Sequence, residues 1–416
     1  MWSWSPPPLL LAVLTRHEGR SLMLVLAASA GGALLSRIHR RIVLPTVVIE
    51  IVLGIVIGPQ ALDVATVNPY LTFLANFGLV FLFFFAGLEV IEKRVPRAAV
   101  VRGTAGWGIS IALGGLAGLA LHAFGVDAEW WLLAVALATT ALGTLVPILA
   151  DAGILPTPLG IAVLGTGVAG EFWPIVVISV FLTGVYGAAA EVILLVVFGG
   201  LVAAAAAVAL RARPPRVLQV LRETIHTTGQ AAVRISVFVV AALVSLAVDV
   251  GFDFVLGAFA AGLVVGLALG SPEGEVVRVR LEGIGFGFLI PIYFVVTGMN
   301  FDLDSLLTAS GLALAGVFLV FLLVVRGASA LLWARDLGRR RALALAFFGA
   351  TGLPLIVAIV GIGDGRGAVS PSVGASLIGA GMISVLAFPL IGGRIGGGPP
   401  SPPGTVREAD TAVAEY

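Results

Sequence analysis

Long apolar windows recur along almost the whole chain, and they constrain its fold more than any other feature. Each has roughly 17 to 29 residues, enough for a helix to cross a bilayer core of about 30 Å. Only 11% of the residues are charged and 59% are hydrophobic, whereas a soluble domain has about 25% charged residues. The sequence therefore predicts an all-α polytopic membrane protein.

The windows predict about thirteen transmembrane helices. The division between the eighth and the ninth, at Asp249 to Phe252, is the weakest. The spans are placed at residues 20–36, 44–61, 71–91, 98–122, 131–150, 157–184, 188–210, 235–249, 253–270, 283–299, 306–334, 342–363 and 369–393. Residues 1–19 are then an N-terminal arm, 20–393 the transmembrane domain and 394–416 a tail that is rich in Pro and Gly and predicted to be disordered.

Basic residues test this count, because cytoplasmic loops of membrane proteins retain Lys and Arg. The connections after even-numbered spans contain Arg366 alone. This segregation predicts an external N-terminus and a cytoplasmic C-terminus, although Arg16 and Arg20 would then lie outside. The connections after odd-numbered spans contain Arg37, Arg40, Arg41, Lys93, Arg94, Arg97, Arg102, Arg211, Arg213, Arg216, Arg222, Arg234, Arg278, Arg280, Arg335, Arg339, Arg340, Arg341, Arg394 and Arg407.

The sequence contains a weak internal repeat. FFFAGLEV (83–90) matches FVVTGMNF (294–301), and ATTALG (138–143) matches GATGLP (349–354), both at an offset of 211. GIVIG (54–58) and GLVVG (262–266) match at the nearby offset of 208. Spans two to six would correspond to spans nine to thirteen. Because spans two and nine run in opposite directions, the repeat is predicted to be inverted, with a ligand site near the midplane.

Spans five and twelve are candidates for discontinuous helices. Span five contains Thr139, Thr140 and Pro147, and span twelve contains Thr351, Gly352 and Pro354. Gly and Pro weaken a helix, and Thr hydroxyls can satisfy the freed backbone groups or coordinate a cation. Ordinary close packing through small residues is the alternative explanation, but both interruptions fall at equivalent repeat positions.

Two charged residues lie near mid-depth. Glu171, within GVAGEFWPIV, is about 21 Å along span six from its cytoplasmic start, and Arg326 is about 13 Å along span eleven from Arg335. Charges at such depth usually face a cavity and bind something. Glu171 could instead lie in a loop, or the two could form an architectural ion pair.

A buried carboxylate such as Glu171 can exchange a proton for a small cation, because one site cannot hold both. Return of the empty site is disfavoured, since a bare buried anion is costly, and coupled exchange follows. Arg326 is suited to hold unwound carbonyl ends, because it keeps its proton. Pro174 lacks an N–H and frees the carbonyl of Gly170, which predicts an additional oxygen beside Glu171.

Other acidic residues have simpler explanations. Glu50, in PTVVIEIVLG, is expected to be embedded in the membrane, where it could pair across the bundle as part of a scaffold. Glu89, Asp151, Asp302 and Asp304 fall at the ends of spans, where solvation is the default.

No enzymatic site is indicated. Cys is absent, which excludes disulfides, thiolate metal sites and cysteine nucleophiles. There is no Walker-type phosphate loop, and the His residues lack metal-ligand spacing. We therefore expect a protein that is not an enzyme, with no cofactor and no nucleic acid partner. The His residues are His17, His39, His122 and His226.

Residues 40 to 393 resemble the monovalent cation:proton antiporter superfamily, in the branch of the Kef-type and bacterial Na+/H+ antiporters. The resemblance is carried by PTVVIEIVLGIVIGPQAL, FGLVFLFFFAGLEV, ATTALGTLVPILADAG, VLGAFAAGLVVG and PIYFVVTGMNFDL, together with Arg326. Individually these segments are moderately specific, and their order and spacing make the match strong.

The resemblance implies a homodimer with elevator-type alternating access. Scaffold spans would lie within 20–91 and 235–299, and mobile core spans with two crossing, discontinuous helices within 98–184 and 306–393. It implies that Glu171 binds the cation and the proton, that Thr140 is the threonine of the crossing helix beside it and that Arg326 compensates charge. Thr139 and Thr351 are further candidate ion-binding residues, because of their place in the interrupted spans. The family usually has two adjacent polar residues where this chain has Gly170 and Glu171, so one-for-one electroneutral exchange is the simpler expectation.

The sequence thus predicts an antiporter that exchanges Na+ or K+ for H+ in a bacterial plasma membrane. The alternative is a non-transporting sensor or subunit that keeps the fold, which the glycine at position 170 would suit. A passive channel is disfavoured, because rings of acidic residues are missing. The sequence does not distinguish Na+ from K+.

Overall fold

The computed structural model describes residues 16–36, 45–92, 95–183, 196–204, 207, 230–269 and 272–396. Several sequence predictions fall outside these residues. They concern most of the N-terminal arm, much of span seven, the tail beyond 396 and the basic residues within 37–44, 93–94 and 208–229.

The described chain is almost entirely helical. A π-helical turn (Gly285–Leu289) joins α10 to α11, and a 3₁₀ helix (Ala328–Trp333) joins α13 to α14. Residues 196–204 are also helical. The helices are α1 (Arg16–Leu35), α2 (Thr46–Ile57), α3 (Pro69–Glu92), α4 (Arg97–Ala123), α5 (Trp130–Leu137), α6 (Leu142–Asp151), α7 (Pro158–Thr183), α8 (Ala231–Asp249), α9 (Phe254–Ala268), α10 (Pro272–Ile284), α11 (Ile290–Met299), α12 (Leu303–Leu307), α13 (Ala309–Gly327), α14 (Ala334–Gly349), α15 (Leu353–Asp364) and α16 (Pro371–Gly396).

The described residues contain 8 helical segments that are long and apolar enough to cross a bilayer, and α2 and α9 are shorter apolar helices. One of the 8, Ala309–Asp364, has 56 residues and contains the predicted spans eleven and twelve. The prediction of a polytopic helical membrane protein is confirmed. The count of thirteen spans stays a prediction.

Two helix pairs approach each other closely through glycine. On α2 and α11, the Gly298 Cα lies 3.0 Å from the position of a Cβ built on Gly54. On α3 and α9, the Gly87 Cα lies 3.0 Å from a Cβ built on Gly262. A side chain at these positions would meet backbone atoms, so small residues set the distance between the helices.

The predicted spans five and twelve are both interrupted. Span five is divided into α5 and α6 by residues 138–141, and residues 350–352 separate α14 from α15. The interruptions touch each other, because the Ala141 N–H donates to the Thr351 carbonyl over 2.6 Å. Backbone groups that lose their helical partners are satisfied in this way inside the protein.

The segment before span ten differs from its prediction. Residues 271–282 were predicted to be a polar connection, but α10 is helical from Pro272 and continues through the π-helical turn into α11. Arg278 forms ion pairs with Glu275 (3.7 Å) and Glu282 (2.8 Å) at helical spacing. These pairs stabilise the helix, and Val277 and Leu281, one turn apart, bury its narrow apolar face.

Candidate functional site

A cavity of about 480 Å³ reaches the interruption between α5 and α6. Its walls are mostly apolar and come from α1, α2, α3, α6, α7, α11 and α15, with residues 286–288. Its polar lining residues are Ser29, Thr46, Glu50, Glu89, Thr144 and Glu171. The predicted ion-binding carboxylate, Glu171, therefore lines this cavity.

Glu171 lies on α7 and is only 9% exposed. Its Oε1 accepts hydrogen bonds from the backbone N–H groups of Leu142 (2.6 Å) and Gly143 (3.3 Å), the first two residues of α6. The first N–H groups of a helix have no partner within it, and the helix dipole makes this end positive. The interruption therefore creates the donors that stabilise a carboxylate inside the membrane.

Arg326 lies on α13 and is completely buried. The C-terminal end of α14, which is the negative end of its dipole, supplies one of its acceptors, so the guanidinium compensates that helix end. The guanidinium donates to Thr140 Oγ1 (2.8 Å), Ser110 Oγ (3.2 Å), the Thr166 carbonyl (3.0 Å) and the Gly349 carbonyl (3.4 Å).

Gly170 separates the two charged groups. A Cβ built on Gly170 would lie 2.6 Å from Arg326 Nη2, 2.6 Å from Thr140 Oγ1 and 2.8 Å from Thr140 Cβ. The guanidinium and Thr140 thus occupy the space in which a side chain at position 170 would begin. This contact gives a physical reason for a glycine at position 170.

We expect Gly170→Ala to destabilise the protein by about 1–3 kcal/mol, the usual effect of overpacking. A lower melting temperature of the purified protein in detergent would show it. Gly108→Ala is the matched control, because it lies in α4 and nothing lies within 4 Å of its built Cβ. Equal melting temperatures for both variants would contradict the tight contact at position 170.

The carbonyl of Gly170 accepts a hydrogen bond from another segment. Pro174 leaves it without a helical partner, and the backbone N–H of Thr140 donates to it over 3.1 Å. This oxygen therefore joins α7 to the interrupted segment. Its use as an additional oxygen beside Glu171 stays a prediction, since a carbonyl oxygen has a second lone pair.

The predicted threonines take different positions. Thr140 Oγ1 donates to the Gly349 carbonyl over 2.6 Å and accepts from Arg326. Thr139 and Thr351 donate to carbonyls of their own helices, at Ala136 (2.8 Å) and Phe347 (3.3 Å). All three threonines are fully buried, and none lines the cavity as the described residues form it.

Three residues line the cavity although their sequence positions did not predict it. Glu89, expected to be solvated at a span end, lines the cavity, and its Oε1 lies 3.3 Å from a Cβ built on Gly143. Thr144 and Glu50 also line it. The position of Glu89 two residues after Gly87, in a segment of the internal repeat, was an available signal for its importance.

A second cavity of about 540 Å³ lies on the other side of the interruptions. Helices α3, α11 and α15 line both cavities with opposite ends; on α3, for example, Glu89 faces the first and Asn76 the second. Glu171 lines only the first. In the described part of the chain, an ion could therefore reach Glu171 through the first cavity but not through the second.

Arg366 and Asp253 form an ion pair that lines the second cavity. Arg366 is the exception in the pattern of basic residues, and this pair gives it a structural role. Its Nη2 lies 3.0 Å from Oδ2 of Asp253, which is 8% exposed. Asp253 Oδ1 also accepts from the Val255 N–H over 3.1 Å, at the start of α9. The pair therefore joins the turn after α15 to the start of α9.

A sequence model described as "Sodium/hydrogen exchanger, transmembrane" matches residues 25–395. YjbQ of Bacillus subtilis, provisionally named an Na(+)/H(+) antiporter, is 27% identical over 370 residues, which are 85% of this chain and 59% of YjbQ. K(+)/H(+) antiporter 1 of Saccharomyces cerevisiae is 26% identical over 299 residues, 63% of this chain and 33% of the yeast protein. The chain thus spans only part of the length of these relatives.

The solved structure of the sodium proton antiporter MjNhaP1 from Methanocaldococcus jannaschii at pH 8 has a similar fold. The TM-score is 0.61 at 18% sequence identity, and the match covers 89% of this chain and 96% of that one. The family resemblance inferred from the sequence is confirmed. The chain belongs to the sodium/hydrogen exchanger family, whose members are membrane transporters and not enzymes.

Proposed function

We propose that the chain is a secondary active transporter that exchanges a monovalent cation, Na+ or K+, for H+. One observation carries the proposal: Glu171 is a buried carboxylate that lines a cavity and accepts N–H groups from the start of an interrupted helix. Intramembrane carboxylates in such positions are typical of ion and proton pathways. The names of the relatives support cation and proton exchange.

Glu171 binds the two substrates in turn. Ionised Glu171 attracts a cation from the cavity, while the N-terminus of α6 limits the free energy needed to keep the carboxylate charged. Protonated Glu171 has no charge for the cation. A bare carboxylate in a closed site is disfavoured, so the site changes sides only when occupied. With Gly170 in place of a second acid, one cation moves for one proton.

Arg326 and Thr140 position this site and compensate charge. Arg326 holds the carbonyl end of α14 through Gly349, and Thr140 connects Gly349 to α7 through Gly170. Thr139 and Thr351 maintain the two interruptions. Their hydroxyls donate to carbonyls of the helices that precede them. We therefore propose that they assist ion binding indirectly, by holding the shape of the interrupted segments.

Glycine contacts support an inverted repeat. The sequence repeat equates Gly54 with Gly262 and Gly87 with Gly298. Gly54 packs on Gly298 and Gly262 packs on Gly87, so each contact maps onto the other when the two copies are exchanged. The two interruptions also fall at equivalent positions of the repeat, since Thr140 in the first corresponds to Thr351 in the second. We propose the thirteen-span topology with crossing interrupted helices on this basis.

The transport cycle is proposed to be an elevator. Scaffold spans within 20–91 and 235–299 stay fixed, and core spans within 98–184 and 306–393 carry Glu171 between the two cavities. The first cavity opens to the cytoplasm, since Thr46 and Glu89 adjoin the basic segments 37–41 and 93–97. The protein is proposed to be a homodimer in a bacterial plasma membrane, with its N-terminus outside and its C-terminus inside.

A non-transporting sensor is the alternative reading, and nothing in the comparisons favours it. The sensor was suggested by the glycine at position 170, where a second polar residue was expected beside Glu171. Gly170, however, accommodates Arg326 and Thr140, which is compatible with a working site.

Reconstituted proteoliposomes with an internal pH dye test the proposal. Addition of Na+ or K+ outside should alkalinise the interior, and choline should not. With Na+ as the driving cation and valinomycin with K+ gradients setting the membrane potential, the rate should be the same at every potential if exchange is electroneutral. Cation flux without proton movement would indicate a channel, and no flux would indicate a sensor. Comparison of the salts gives the cation preference.

A further inference from the structure

A second acid, Glu50, lines the first cavity together with Glu171. It lies on α2 and is 3% exposed. Gly32 of α1 makes room for it, because a Cβ built on Gly32 would lie 3.0 Å from Glu50 Cγ. Among the residues that the structure describes, no hydrogen-bond or ion-pair partner is found for the Glu50 carboxyl.

A partnerless carboxyl in an apolar wall has two stable forms. An isolated ionised acid at the bilayer centre is disfavoured by at least about 2.5 kcal/mol on insertion scales. The carboxyl must therefore hold a proton or attract a cation from the cavity. A purely structural role would be served equally by an amide or an apolar side chain, neither of which carries a negative charge or exchanges a proton.

The surroundings favour a cation over a protein partner. The titratable groups that face the cavity with Glu50 are Glu89 of α3 and Glu171 of α7, and the described lining residues from α1, α6, α11 and α15 include no charged side chain. No group of three acidic or His residues in the described chain could hold one ion. The three carboxyl groups therefore do not form one common ion site.

We propose that Glu50 is a second cation- and proton-binding group of the cavity, held on the scaffold, which concentrates the monovalent cation before it reaches Glu171. The inference rests on the proposed function and adds a residue to it. Glu50 sets the apparent cation affinity and the pH range of exchange. Glu171 remains the group on which exchange depends.

Carbodiimide labelling tests binding at Glu50 directly. Dicyclohexylcarbodiimide reacts with protonated carboxyl groups in apolar surroundings, and mass spectrometry of peptides locates the product. In the Glu171→Gln protein, Glu50 should be labelled in choline chloride, and NaCl or KCl should reduce the labelling. Absent labelling, or equal labelling in all three salts, would overturn the inference. This result does not depend on transport.

Transport by Glu50→Gln gives the second readout. The amide keeps the shape, so folding should persist. The cation concentration for half-maximal exchange should rise at least about threefold while the maximal rate changes little, as expected for lost uniform binding, and the pH profile should shift. Glu275→Gln, an exposed carboxylate of α10, is the control. Unchanged affinity and pH profile in Glu50→Gln would refute the role, even with Glu171-dependent exchange intact.

Discussion

Glu171→Gln is expected to reduce cation-driven proton movement to the level of protein-free liposomes. The amide cannot take up and release a proton and carries no charge for the cation. Loss of a charge interaction of about 3 kcal/mol in a desolvated site corresponds to ~100-fold weaker cation binding. Internal pH measurements in proteoliposomes with equal protein content provide the comparison.

The fold should survive this substitution. Gln has the same shape as Glu and an amide oxygen that can still accept from Leu142 and Gly143. The melting temperature of Glu171→Gln should therefore remain close to that of the native protein. Glu171→Asp keeps the charge on a shorter side chain and should retain partial exchange. Substantial cation-dependent proton movement by Glu171→Gln would exclude Glu171 as the exchanging group.

Arg326→Met is expected to give the largest loss of stability. The substitution leaves the Thr166 carbonyl and the hydroxyls of Thr140 and Ser110 without their donor. Hydrogen bonds to charged groups contribute about 1.5–3 kcal/mol each, so the total destabilisation should exceed about 3 kcal/mol. Thermal unfolding in detergent and the yield of monodisperse protein measure this effect.

Arg326→Lys separates charge from hydrogen bonding. Lys keeps a positive charge but lacks the planar fork of donors, so its melting temperature should lie between those of native protein and Arg326→Met. Arg335→Gln, at an exposed residue of α14, is the control for removing an arginine. A native melting temperature for Arg326→Met would show that the buried network does not stabilise the core.

Much of the fold followed from patterns that the membrane imposes. Apolar windows located the helices, and Gly, Pro and Thr located both interruptions, because such residues are tolerated at mid-depth only where other groups satisfy the backbone. Glu171 stood out because a carboxylate is rare there. These signals are local in sequence and needed no knowledge of tertiary packing.

The orientation of side chains could not be predicted in the same way. Gly170 and Glu171 are adjacent, yet one faces Arg326 and the other faces the cavity. The hydroxyls of Thr139 and Thr351 donate to carbonyls of the helices that precede them. The residue type alone had suggested that they bind the cation. Hydropathy does not separate a side chain that faces a cavity from one that packs between helices, and this distinction decides the roles of Glu50 and Glu89.

Two helices face both cavities with neighbouring residues. On α11, Phe294 lines the first cavity and its neighbour Tyr293 the second, and on α15 the corresponding residues are Leu355 and Val357. Both cavities therefore reach the middle of the protein from different sides.

Each cavity has room for on the order of 15 water molecules of about 30 Å³ each. Water carries the potential of either solution inward, so the voltage falls mainly over the protein between the cavities instead of the whole core of about 30 Å. A charge that crosses from one cavity to the other experiences about 2.3 kcal/mol for every 100 mV. Net charge carried with Glu171 would thus feel the membrane voltage over a movement shorter than the thickness of the bilayer.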